Sequence, residues 1–383
     1  MFYNLPIASS DARDKDELCN TWSIAVAPHT AGCVAADLKR ICIDSLTRSK
    51  ARAQTQTGTD LDARIVWADI REAARLCIPS QLAQLDVSLT RDFGDSSSDP
   101  LAGTLSPKDY FFRIWDDRFG GYNEIKAKIF RTIVWPWKRH NSSSSDQGMR
   151  PISSLEKEIP PPSGVLFHGP TGTGKTFAAE CLAVSLGLNV VRVRASDILD
   201  QWLGGTEAAI RTIFARARAA APCILFFDEL DAIATNREDD DGGSSDVHSR
   251  LLSTLLNELD SVNSDNSKSG VLIVGTTNRI KAIDAALLRP GRFEEHIHLD
   301  IPTLADVEIL LNKFMKKVPM GTDVKLCDIA ELLAGLEASA ADVKGVCSEA
   351  CLHAIGQVDT SVDIDEVILK MIDFDVAIRS WNS

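Results

Sequence analysis

The chain has 383 residues, is 44% hydrophobic and 25% charged, and carries a net charge of −13. At roughly 150 residues per domain, that length accommodates two or three domains with real cores. The acidic balance argues against a nucleic-acid backbone as the main partner, because counterion release needs a basic face. No apolar run approaches the ~20 residues of a membrane span, and Met1 to Ser10 lacks a basic stretch followed by an apolar core. The expectation is an intracellular, cytoplasmic and unanchored protein. Nine cysteines without paired C-x-x-C spacing read as reduced, mostly buried thiols. Seven histidines form no ligand pattern, and His296 and His298 alternate onto one face of a strand.

In chain order, the first feature is an internal similarity. Thr30-Ala31-Gly32-Cys33-Val34-Ala35-Ala36-Asp37-Leu38-Lys39-Arg40-Ile41-Cys42 resembles Leu336-Glu337-Ala338-Ser339-Ala340-Ala341-Asp342-Val343-Lys344-Gly345-Val346-Cys347, with Asp37 opposite Asp342. A duplicated module leaves such a trace. Trp67 to Pro79 predicts an amphipathic helix stopped by proline. Arg91 to Pro107, rich in Ser, Asp, Gly and Pro, reads as a linker. Asn141 to Pro162, with a serine run and Pro160-Pro161-Pro162, reads as a surface excursion.

Gly164 to His168 predicts a short buried strand, and Phe177 to Leu186 a helix. Between them Gly169-Pro170-Thr171-Gly172-Thr173-Gly174-Lys175-Thr176 matches G-x-x-x-x-G-K-[ST] at every fixed position. The glycines let backbone N–H groups close around phosphate oxygens, Lys175 neutralises the β and γ charges, and Thr176 offers a hydroxyl to Mg²⁺. The helix N-terminus that follows favours an anion.

Cys223 to Phe227 predicts a second buried strand, ending in Asp228 and Glu229. Side chains alternate along a strand, so the two carboxylates take different tasks. Asp228 suits Mg²⁺, and Glu229 suits the water that attacks the γ-phosphate. Arg237 to Asp246 is a charged, solvated loop. Val271 to Asn278 is a third buried strand with a polar end. In a parallel sheet its amide would lie near Asp228 and Glu229, able to bond both the water and a γ-phosphate oxygen.

Together these motifs resemble the AAA ATPases over roughly Trp115 to the end, and most of all the second ATPase module of the two-ring group. That group contains the valosin-containing protein, the spermatogenesis-associated AAA proteins and the AAA peroxins. The resemblance implies an α/β P-loop NTPase fold, a parallel sheet with helices on both faces followed by a C-terminal helical lid. It implies residues 1–91 as a lid remnant of an upstream module, 92–114 as linker, 115–302 as the ATPase core and 303–383 as the lid. The lid helices are expected at Val307 to Lys317, Leu326 to Gly335, Ala341 to Gly356 and Asp365 to Arg379.

Further roles follow from the resemblance alone. Trp115-Asp116-Asp117-Arg118-Phe119-Gly120-Gly121-Tyr122 is similar to the family's leading motif, which implies that Phe119 and Gly120 meet adenine through their backbone. Here one residue more than the family pattern separates the tryptophan from the glycines. Gln201-Trp202-Leu203-Gly204-Gly205-Thr206-Glu207 resembles the pore loop, so Trp202, Leu203 and Gly204 would line a central channel and grip an extended polypeptide. Asn278 resembles the first sensor. Arg289 and Arg292, in Leu287 to Glu294, resemble the arginine pair placed at the subunit edge to reach a neighbour's nucleotide. Such a site is completed only in a ring, by resemblance of six like or unlike subunits. Where the family has Gly-Ala-Asp at the start of the third lid helix, with glycine letting the backbone approach adenine, this chain has Ala340-Ala341-Asp342, and the resemblance implies a weaker nucleotide contact there.

The resulting expectation is an ATP hydrolase that uses Mg²⁺ and pulls protein substrates through a ring. Two other classes stay open at this point: a nucleotide-binding scaffold or fragment that depends on a partner AAA subunit, and a small-molecule kinase built on the phosphate loop.

Overall fold

The computed structural model describes residues 33–57, 65–77, 86–88, 106–141, 160–194, 198, 206–234, 245–264, 270–357 and 368–381. Its centre is a sheet in which β2 (Gly164–His168), β3 (Asn189–Arg194), β4 (Cys223–Asp228), β5 (Val271–Thr277) and β6 (Glu295–His298) all run parallel. The spatial order is β1-β3-β4-β5-β2-β6, with β1 (Asp86–Ser88) antiparallel to β3 at the edge. Every residue of β5 is buried, as are the first five of β4. Such uninterrupted apolar runs are what a sheet covered on both faces requires.

The alternation along β4 sorts its side chains between two cores. Leu225 and Phe227 face a cluster with Phe214 of α7 (Thr206–Ala219) and Leu251, Leu255 and Leu259 of α8 (Ser245–Ser264). Ile224 and Phe226 face the opposite cluster, with Leu182 of α6 (Lys175–Leu186), Trp115 of α3 (Pro107–Arg118) and Ile129 of α4 (Asn123–Ile129). Trp115 is fully buried, and its indole Nε1 donates to Ser185 Oγ at 2.8 Å, bolting α3 to α6. Beyond α4 a wider π turn over Phe130–Val134 leads into α5 (Trp135–Asn141), where Pro136 lacks the N–H a regular helix would use.

The boundary expected between 114 and 115 falls inside a helix. Ser106 accepts a hydrogen bond from the Asp109 N–H at 3.2 Å and Pro107 occupies the first turn, so α3 begins well before residue 115. Asp86–Ser88 lies within the segment expected to be a lid remnant, yet it pairs with the core sheet and covers the open edge of β3.

The C-terminal helices are α9 (Leu304–Met315), α10 (Leu326–Gly335), α11 (Ala340–Gly356) and α12 (Met371–Trp381), around a core that includes Val307, Leu311, Leu333, Val346 and Phe374. Capping boxes of Thr303 with Asp306 and of Ser339 with Asp342 start α9 and α11. The last helix begins later than expected, because Leu369 is extended and bridges to Met320, while Asp373 accepts from the Lys370 N–H at 2.8 Å. Asp306 also accepts from the Tyr122 N–H at 2.7 Å, joining the loop before α4 to the start of α9.

Near the N-terminus, α1 (Ala35–Thr57) and α2 (Trp67–Leu76) enclose a small core of Ile41, Ile65, Ile70 and Ala73. Asp37 accepts from the Val34 N–H at 3.0 Å, just as Asp342 accepts from the Ser339 N–H at 2.9 Å. The two halves of the internal similarity therefore begin their helices with the same local hydrogen bond.

Candidate active site

The phosphate-loop motif connects β2 to α6 at the carboxyl edge of the sheet, where an open α/β fold receives its ligand. Gly169, Gly172 and Gly174 adopt φ of 145°, 77° and 91°. At Gly172 a side chain is also excluded by space, since a Cβ would lie 2.3 Å from Ser339 Oγ. Lys175, the first residue of α6, is buried and its Nζ donates to the carbonyls of Gly169 at 3.0 Å and Pro170 at 2.6 Å. Burial pushes its pKa down, against the pull of Asp231 and Asp228. Thr173 Oγ1 donates to Pro170 O at 3.0 Å and closes the loop from within. Thr171 borders the cleft above it.

Asp228 ends β4 opposite this loop. Its Oδ1 accepts from Thr176 Oγ1 at 3.1 Å and from Thr276 Oγ1 at 2.7 Å. Thr276 in turn accepts from the Glu229 N–H at 3.1 Å. Glu229 itself has φ 56° and ψ 55°, a left-handed conformation that costs a non-glycine residue ~1–3 kcal/mol. The strand alternation expected to separate the two carboxylates is thus replaced by a sharp turn at Glu229. Both carboxylates, with Lys175, Thr176, Thr276 and the exposed Asn278, line one cleft of about 390 Å³.

Thr276 was missed in the sequence because it reads as an ordinary β-branched strand residue. The signal that exposes it is register: Phe227 pairs with Gly275, so the next residues of β4 and β5 meet at the sheet edge.

Phe119, Gly120, Arg289 and Arg292 do not line that cleft. Phe119 is a buried side chain in edge contact with Trp115, stacked at 6.2 Å on Phe177 and close to Gly174. Gly120, at φ 61°, lies against Leu310 and Lys313 of α9. Arg289 is exposed, and its guanidinium bonds no described residue. Arg292 is held by Asp260 of α8, with Nε to Oδ1 and Nη2 to Oδ2 both at 2.8 Å, while Nη1 donates to Ala286 O at 2.7 Å. That hydrogen-bonded guanidinium holds the Asp260 carboxyl below its usual range. Trp202, Leu203 and Gly204 lie outside the described residues.

Residues 165–301 match the profile of the ATPase family associated with various cellular activities (AAA). This chain carries an AAA ATPase domain. It is 37% identical over 250 residues to the peroxisomal ATPase PEX6 of Saccharomyces cerevisiae, covering 65% of this chain and 23% of the yeast protein. It is 33% identical over 348 residues to that of Penicillium chrysogenum, covering 88% of this chain and 22% of the relative. It is 32% identical over 346 residues to that of Arthrobotrys oligospora, covering 88% and 27%. The chain spans about a quarter of the length of the curated relatives it matches.

The matched segment of the AAA domain contains the phosphate loop, both carboxylates, Asn278 and the two arginines. The helices after it still touch the site. The Ala341 N–H donates to Gly172 O at 3.0 Å, and Ala341 lines the cleft. Asp342 beside it accepts from Ser339 Oγ at 2.6 Å and from Trp381 Nε1 at 3.2 Å. Ala340 stands one residue before this backbone contact. No helix among the described residues is long and apolar enough to cross a membrane.

Proposed function

We propose that the AAA domain hydrolyses ATP with Mg²⁺, and that it does so as part of a ring that remodels, unfolds or extracts protein. The observation that carries the reading is the bonded set Thr176, Asp228 and Thr276, with the backbone reversed at Glu229. Thr176 and Asp228 offer two hard oxygen donors that converge, which fits Mg²⁺. When bound, the ion supplies charge neutralisation at the β and γ oxygens. Lys175 holds those phosphates by exchanging its loop carbonyls for phosphate oxygens. Gly169, Pro170, Thr171, Gly172, Thr173 and Gly174 supply the backbone cradle.

Glu229 accepts the proton of the attacking water, a role worth ~10²–10⁴-fold. Asn278 orients that water and a γ-phosphate oxygen. Phe119 and Gly120 contribute to adenine recognition through backbone groups. An arginine from Arg289 and Arg292 completes the neighbour's site, a contribution of ~10³–10⁵-fold. The ring is a homo- or hetero-hexamer of AAA subunits, and Trp202, Leu203 and Gly204 grip the polypeptide in its pore. The names of the relatives support ATPase work of a peroxisomal kind for this chain.

The test is ATP turnover per subunit against protein concentration, with Glu229→Gln beside the unaltered chain. A rate that rises with concentration and falls by at least ~100-fold in the variant supports the ring hydrolase. A rate no higher than the Glu229→Gln background at any concentration would reduce the chain to a nucleotide-binding scaffold.

A further inference from the structure

The two arginines of the Leu287 to Glu294 loop sit in opposite circumstances. Arg292 is committed within its own subunit. Its planar fork meets both Asp260 oxygens at 2.8 Å, a bidentate charge-assisted pair, and its remaining arm reaches the Ala286 carbonyl at 2.7 Å. Only 17% of its side-chain surface is exposed. The backbone around it is closed as well, with Arg292 N donating to Arg289 O and Phe293 N to Leu287 O, both at 3.1 Å. The Arg289 side chain leaves this braced turn towards solvent, and its guanidinium has no hydrogen bond to give up among the described residues. Reaching a neighbour's phosphate would break three hydrogen bonds at Arg292 and none at the Arg289 guanidinium.

We propose that Asp260 is a positioning residue for the reaction: through Arg292 it anchors this loop in cis, so that Arg289 alone is presented to the neighbouring subunit's γ-phosphate. This rests on the ring hydrolase reading above. Arg292 then acts through the loop it holds, and Asp260 acts only through Arg292.

The experiment uses the full chain and mixed subunits. Arg289→Ala, Asp260→Asn, Arg292→Ala and the Asp260→Asn/Arg292→Ala double variant are assayed alone and after mixing with Glu229→Gln chains. Alone, Arg289→Ala is expected to lose at least ~10³-fold in turnover. Asp260→Asn and Arg292→Ala each lose ~10–100-fold, as expected of a displaced group, and the double variant loses no more than the worse single. Mixing restores turnover to all of them, because a Glu229→Gln neighbour still presents a correctly held arginine to their intact sites. A fold defect in Asp260→Asn would not be rescued this way, so failure of rescue there, with Arg289→Ala rescued, overturns the positioning role. So does wild-type or faster turnover in Asp260→Asn with Arg292→Ala inactive, which would make Arg292 the trans group and Asp260 its sheath. If no variant is rescued and turnover does not rise with concentration, it is the ring reading that fails.

Discussion

The Thr276 hydroxyl donates to Asp228 Oδ1 at 2.7 Å while accepting the Glu229 backbone N–H at 3.1 Å. One side chain from β5 thereby orients the carboxylate suited to the metal and pins the turn that redirects its neighbour.

Replacing that hydroxyl by a methyl group tests the arrangement. Thr276→Val keeps the shape of the strand but removes the donor to Asp228 and the acceptor for Glu229. Partners behind a metal ligand are worth ~10–100-fold in metal affinity. The Mg²⁺ concentration giving half-maximal turnover is expected to rise at least ~10-fold at saturating ATP. An unchanged Mg²⁺ dependence would remove Thr276 from the site.

Gly172→Ala addresses the contact between the phosphate loop and the C-terminal helices. The new Cβ would sit 2.3 Å from Ser339 Oγ and 3.0 Å from Ser339 Cβ at φ +77°. The left-handed conformation alone costs ~1–2 kcal/mol, and the buried Ser339, which caps α11, must also shift. Urea denaturation is expected to show a loss of at least ~1 kcal/mol, with weaker nucleotide binding. Equal stability would mean that α11 does not bear on the loop.

Acid sensitivity is expected from the histidines on β2 and β6. His168 stacks on His298 with centroids 4.8 Å apart and meets His296 edge-on at 6.5 Å. Burial, followed by the charges of His298, His296, Lys128 and Lys175, pushes the His168 pKa down to about 4. Between that value and an unfolded value of ~6.5 the unfolded chain binds more protons, so stability falls as pH drops through this window. His168→Phe is expected to flatten the dependence of the urea midpoint on pH between ~6.5 and ~4. A slope identical to the unaltered chain's would count against the cluster.

Lys313 gives the complementary case on α9. Its Nζ is buried without a hydrogen-bond partner among the described residues, and burial lowers its pKa to about 8. At pH 7 the ammonium is charged in both states and the burial cost is fully present, and it fades as pH rises from about 8 towards the unfolded value of ~10.4. Lys313→Met should therefore stabilise the chain at pH 7, by an amount that shrinks above pH ~8. Thermal melts at pH 7 and pH 10 measure both effects, and a less stable Met variant at pH 7 would show that the amine is satisfied after all.

What could be read in advance followed from local spacing. The phosphate loop, the parallel strands around it and the carboxylates at the end of β4 are contiguous patterns, and the AAA family was recognisable from them. Thr276 was not, because its partner lies across a strand pairing. The turn at Glu229 was hidden for a similar reason: no propensity places glutamate in a left-handed conformation, and only the surrounding bonds hold it there. Arg289 and Arg292 look equivalent in the sequence, and only Asp260 on a distant helix separates them. The start of α3 was in fact legible in Ser106 and Pro107, but the linker composition before them masked it.

Asp306 gives the helical end of the chain an attachment besides its covalent one and the Ala341–Gly172 hydrogen bond. The same carboxylate caps α9 through the Thr303 N–H at 3.2 Å and holds the Tyr122 N–H at 2.7 Å, while Tyr122 Oη donates to Asp300 O at 2.9 Å. The segment before α9 is therefore pinned to Tyr122 at two points, one through the Asp306 carboxylate and one through the Asp300 carbonyl. The loop that Asp306 holds also carries Phe119, whose ring would lie 3.3 Å from a Cβ at Gly174, so the chain between α3 and α4 spans the distance from the start of α9 to the mouth of the phosphate cradle.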